Sequence, residues 1–162
     1  MNNASEHAGS ASTTPLRPPK TALILGWAGV VPFWGLALAS ALRWNLPLIA
    51  DERAALVGYG AIILSFMAGV QWGLAMRAPD APDGPATQRL LMLSVLPAIA
   101  AWFTLLATPA AALIILAGLF VALLTVDFRV IAQGLAPSWY RSLRIQLTAA
   151  VILALAVAVI AG

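Results

Sequence analysis

The sequence predicts an all-α polytopic membrane protein, a bundle of about five transmembrane helices with the N-terminus inside and the C-terminus outside. Three observations predict it. First, 62% of the 162 residues are hydrophobic and 9% are charged, against about 45–50% and about 25% in soluble domains, so lipid must be the solvent for most of the surface. Second, the chain is filled by five apolar stretches of near-spanning length, and roughly 20 helical residues cross a hydrocarbon core about 30 Å thick. Third, the basic residues between those stretches fall almost entirely on one side. Inside a bilayer the backbone must satisfy its own hydrogen bonds, which makes each stretch a helix.

The first span runs from about Thr21 to Leu42 and the second from about Ala54 to Met76, the latter bounded by Asp51, Glu52 and Arg53 on one side and Arg77 on the other. Between Arg89 and Asp127 lie 37 residues without a charge. As one helix they would reach about 55 Å and overshoot the hydrocarbon, so they must fold back. Thr108 and Pro109 are the natural break, because proline removes a donor and crowds the preceding turn. This gives a third span from Leu90 to Ala107 and a fourth from Pro109 to Val126. The fifth starts near Ser138, an N-cap after Pro137, and runs to Ala161.

Residues 1–20, rich in Ser, Thr, Asn, Ala and Pro, cannot bury a core and read as a disordered cytoplasmic tail ahead of a membrane domain over 21–162. The first span has a rival reading as a cleaved signal peptide. Arg17 and Lys20 would be its positive region, and Ala37-Leu38-Ala39 or Ala39-Ser40-Ala41 its small-residue cleavage site. The length of the stretch, Pro32 and two tryptophans favour a packed helix.

Orientation follows from charge. One face holds Arg17, Lys20, Arg77, Arg89, Arg129, Arg141 and Arg144, and the other only Arg43 and Arg53. Loop Lys and Arg are retained in the cytoplasm, which places the N-terminus inside, in a bacterial inner membrane. Basic loops facing anionic lipid account for the net charge of +3. No Lys/Arg run resembles a nucleic-acid groove, and no nucleic-acid partner is expected.

Several residues carry both a packing and a functional reading. Ala61, Ser65, Gly69 and Gly73 recur every four residues along the second span, and Ala150, Ala154 and Ala158 along the fifth, so each presents a small-residue face for close helix approach. These two helices are expected to be neighbours or to form the surface for a membrane-protein partner or a homo-oligomer. Gln71 lies about 9 Å from the midplane, where an unpartnered amide is costly, so it should bond to another helix. Its functional alternative is that Gln71 and Trp72 line a small polar cavity for a headgroup, quinone or ion. Ser65 has no histidine or lysine nearby to activate it. Pro32 and Pro97 should kink the first and third spans. Trp27 and Trp34, seven apart, share a face around Pro32.

Asp127 is the acid nearest the membrane boundary, and the expectation is an interfacial ion pair with Arg129. Trp139, Tyr140, Arg141 and Arg144 form a compact aromatic-basic group expected to anchor the fifth helix in membrane lipid.

These residues also carry a resemblance. The strings Gly26-Trp27-Ala28-Gly29 with Pro32-Phe33-Trp34, Tyr59-Gly60-Ala61 through Leu64-Ser65-Phe66 to Gly69-Val70-Gln71-Trp72-Gly73, Ser94-Val95-Leu96-Pro97 with Trp102, and Pro137-Ser138-Trp139-Tyr140 resemble the transmembrane-protein-69-like family. The resemblance covers the chain from about Leu25 to the fifth span. It implies a small multi-span membrane protein, with bacterial and mitochondrial relatives, catalogued as a domain of unknown function, and it brings no catalytic residues.

Three classes of function remain. The first is a non-enzymatic structural or assembly component of a membrane complex. The second is a small transporter or lipid- or quinone-binding protein built around Gln71 and Trp72. The third, an enzyme, fits least. With no cysteine, one histidine (His7) in the tail and no paired carboxylates, neither a metal centre nor acid–base chemistry is expected, and no catalytic residue or cofactor is assigned.

Overall fold

The computed structural model describes residues 17–44, 46–77 and 84–161. Most of the tail read from the sequence, residues 1–16, lies outside them. Five helices follow one another: α1 (Lys20–Leu42), α2 (Glu52–Ala75), α3 (Pro85–Thr104), α4 (Pro109–Ala132) and α5 (Trp139–Ile160). All five are long and apolar enough to cross a membrane, and no strand occurs among the described residues.

The helix ends have local causes. α1 stops where Arg43 adopts a left-handed backbone at φ 53°, its N–H turning back to the carbonyls of Ala39 and Ser40. α2 starts at Asp51, whose carboxylate accepts the backbone N–H groups of Arg53 and Ala54 at 2.9 Å each. The expected break between spans three and four is present, with Thr108 at the N-cap and Pro109 in the first turn of α4. Both α1 and α3 continue through their internal prolines, Pro32 and Pro97.

Several helix ends differ from the sequence reading, the end of α3 at Thr104 rather than Ala107 among them. α3 begins at Pro85, before Leu90, because proline is compatible with a first helical turn. α4 does not end at Val126 but runs to Ala132, since charge alone does not stop a helix. The chain turns only at Gly134, with φ 73°. Asp127 and Arg129 therefore lie inside α4. Ser138 does precede α5, but its backbone is already helical and its side chain makes no capping bond.

α2 packs most extensively on α3 and also touches α1 and α4, while α5 lies against α1 and α4. The main core joins Phe33 of α1, Leu56 and Leu64 of α2, Leu116 and Phe120 of α4, and Leu155 of α5. Phe33 stands edge-on to Tyr59 at 5.0 Å and to Phe120 at 6.0 Å between ring centres. The Tyr59 hydroxyl donates to the Gly29 carbonyl at 2.9 Å, one turn before Pro32.

The small-residue faces are divided between two roles. Ala154 and Ala158 are fully buried within the bundle, and Ala150 packs at the edge of the core. α2 and α5 are not a principal helix pair, so their two faces do not meet as neighbours. A methyl group added at Gly69 or Gly73 would meet nothing within 4 Å. Space is tighter elsewhere: a methyl at Gly26 would sit 2.8 Å from Leu147 Cδ1, and one at Gly60 3.1 Å from Leu116 Cδ1, so each leucine side chain would have to shift.

Candidate functional site

Three polar side chains from three helices meet inside the bundle. Gln71 of α2 donates through Nε2 to Oδ1 of Asp127 on α4 at 2.8 Å, and Arg144 of α5 donates through Nε to Oδ2 of the same carboxylate at 2.5 Å. Exposure is 0% for Gln71, 1% for Asp127 and 3% for Arg144. The topology explains why they meet. α2 and α4 both end, and α5 begins, on the same side of the bundle, so residues late in the first two helices stand level with one early in the third.

This arrangement corrects two expectations. Asp127 pairs with Arg144 and not with Arg129. Residues two apart on a helix point to opposite faces, so Arg129 is exposed while Asp127 faces inward. Arg144 is consequently a buried ion-pair partner rather than a lipid anchor. Such a pair is paid for in desolvation, offset only by good geometry and further hydrogen bonds, and Gln71 supplies one of these.

The expected bond from Gln71 to another helix is present, but Trp72 turns away from it. The indole is 49% exposed on the outside of α2, a consequence of the 100° step between successive helical residues, so Gln71 and Trp72 do not line a common cavity. Trp27 is also exposed, whereas Trp34 packs against the core. Ser65 donates its hydroxyl to the Ala61 carbonyl of its own helix at 2.8 Å, which satisfies it locally. At the start of α5, Trp139 stands edge-on to Tyr140 at 6.0 Å, and the exposed Arg141 guanidinium lies 5.0 Å from the centre of the Phe128 ring.

Beside the polar group, α1, α2, α4 and α5 enclose a cavity of about 300 Å³. Its wall is almost wholly apolar, with Leu25, Gly29 and Phe33 from α1, Phe66 and Met67 from α2, and Leu147 from α5 among the lining residues. Tyr140, Arg144 and Thr148 supply its polar side chains. Tyr140 is thus a wall residue with a buried hydroxyl, not only an interfacial aromatic. Sequence reasoning missed Thr148, although the spacing of four among Tyr140, Arg144 and Thr148 was a signal that these groups share one face of α5. No group of three or more His, Cys, Asp or Glu that could hold a metal ion occurs among the described residues.

The family described as "Protein of unknown function (DUF3429)" matches residues 18–160. The chain belongs to this family. Among curated proteins it is similar to "Transmembrane protein 69" of Xenopus tropicalis, 37% identical over 145 residues that make up 85% of this chain and 53% of the relative. It is also similar to "Transmembrane protein 69" of Mus musculus, 29% identical over 140 residues, 84% of this chain and 54% of the relative. The chain therefore spans about half the length of these relatives. No solved structure matches it. The resemblance drawn from the tryptophan- and glycine-containing strings is borne out by these matches, and the shared sequence takes in all five helices.

Proposed function

We propose that this protein is a non-enzymatic structural or assembly component of a membrane complex, placed in a bacterial inner membrane with its N-terminus in the cytoplasm. The observation that carries the reading is the Gln71–Asp127–Arg144 group. The one acid buried among the described helices is engaged by two partners and ties α2, α4 and α5 together, a role in holding the bundle rather than in turning over a substrate.

Two further features support the reading. Gly69 and Gly73 leave open space along the outer side of α2, and Trp72 and Phe66 are exposed on the same helix, which suits contact with another membrane helix. The orientation rests on charge. With Arg144 removed from the count because it is buried, Arg17, Lys20, Arg77, Arg89, Arg129 and Arg141 still oppose only Arg43 and Arg53.

The test is native electrophoresis of gently solubilised membranes expressing a tagged copy, with Gly69→Leu/Gly73→Leu beside the wild type. The wild type should migrate in an assembly larger than its monomer, and the double variant should fall to monomer size with unchanged helical content. A wild type that runs as a monomer under these conditions removes the reading.

A further inference from the structure

The polar groups in the cavity wall are donors without acceptors. Arg144 Nη2, Tyr140 Oη and Thr148 Oγ1 are each buried and have no hydrogen-bond partner among the described residues, and Arg144 and Thr148 are only 3% and 2% exposed. Buried polar groups are nearly always paired, and three of the six buried side-chain atoms left unpartnered among the described residues stand on one wall of one cavity. An arginine has five N–H donors and a hydroxyl one, whereas the rest of the wall offers almost nothing but hydrocarbon.

Charge narrows the complement. Asp127 already neutralises Arg144, so an anionic head would bring an uncompensated charge into a low-dielectric interior, and a cationic head would meet the guanidinium. The group that fits is an uncharged acceptor. Its carrier must be apolar, because Leu25 and Phe66 are lining residues that are also exposed and open the cavity towards lipid. At about 300 Å³ the space is at the small end of ligand sites, suited to one chain segment or one ring. Arg144 and Thr148 stand five and nine residues into α5, about 8 and 14 Å from its start, so the acceptor is met below the headgroup level.

We propose that this cavity binds a membrane-soluble amphiphile that places uncharged carbonyl oxygens along the row of Tyr140, Arg144 and Thr148 and its apolar chain or ring between α1, α2 and α5. The ester carbonyl of a glycerolipid and the ring carbonyl of a quinone share this chemistry. The site shares Phe66 with the exposed side of α2, but its polar wall is on α5 and does not depend on a protein partner.

The test titrates the purified full chain in a mild non-ionic detergent with decylubiquinone, with dioctanoyl phosphatidylcholine and with dioctanoyl phosphatidate, counting bound molecules by native mass spectrometry. Two variants accompany it. Thr148→Val/Tyr140→Phe removes two hydroxyls without a partner among the described residues, and Gly29→Leu adds a side chain where a methyl meets nothing within 4 Å. One molecule of a neutral probe per chain should bind saturably, the tighter of the two naming the source. Affinity should fall about tenfold in the double variant, as for one lost hydrogen bond, and binding should vanish in Gly29→Leu with wild-type helicity. If Gly29→Leu loses its helical signal, the double variant decides. Failure of both neutral probes to saturate, tighter binding of phosphatidate than of either, or unchanged affinity in the double variant would overturn the proposal.

Discussion

The two ends of the bundle are built on different principles. At the end where α2 and α4 finish and α5 begins, three helices are fixed by directional contacts through one carboxylate. At the opposite end the interior is mostly aliphatic: Ala37 of α1, Leu56 of α2, Ala112 and Leu113 of α4 and Ala158 of α5 are buried there, and the buried Thr104 hydroxyl donates only within its own helix, to the Ala101 carbonyl. The difference teaches where specificity comes from in lipid. Hydrocarbon tails are as apolar as leucine, so burying leucine against leucine provides packing but little of the water-driven force available to a soluble protein. A carboxylate can be buried only where its partners are, and so it sets the register of the helices that supply them.

The comparison predicts unequal responses to mutation. The largest belongs to Arg144→Leu, which leaves Asp127 buried without its cation and should cost about 3–5 kcal/mol, measured by unfolding in a mild detergent. Adding Asp127→Leu to that variant should recover most of the loss, because an apolar pair replaces an ion pair nearly neutrally. A double variant as unstable as the single one would show that the ion pair itself, and not the avoidance of an orphan charge, sustains this end. At the aliphatic side, Leu116→Ala should cost about 2 kcal/mol, the low end for a core leucine, because the transfer contribution is small when the alternative solvent is lipid. A loss as large as that of Arg144→Leu would erase the distinction between the two ends.

The same contrast explains what was legible in the sequence. Five spans and the fold-back at Thr108 and Pro109 could be read because lipid imposes length and apolarity on every residue in a stretch, and proline imposes its own geometry. That Gln71 needs a partner was also legible, since an amide within a span cannot stand alone. The identity of that partner was not. Asp127 and Arg144 are 17 residues apart across a turn, and Gln71 and Asp127 are 56 apart. Their meeting depends on which helices pack together, which periodicity within one helix does not encode. Extending α4 from Val126 to Ala132 changes Asp127 from an interfacial acid to a buried one, so a boundary shift of six residues moved the candidate site. Trp72 misled because adjacency in sequence is not adjacency on a helix.

Arg129→Gln isolates that last point with the smallest expected effect. Arg129 and Arg144 carry the same group, and the sequence places Arg129 far closer to Asp127, but α4 turns about 200° between residues 127 and 129 and points Arg129 outward. An exposed cation contributes about 0–1 kcal/mol even where it has a partner. Arg129→Gln should therefore leave the unfolding midpoint within about 0.5 kcal/mol of wild type, while the same change at Arg144 should approach the loss seen with leucine. Comparable destabilisation by the two substitutions would mean that Asp127 is shared between them, and the polar end would then have to be redrawn with its carboxylate facing the interface.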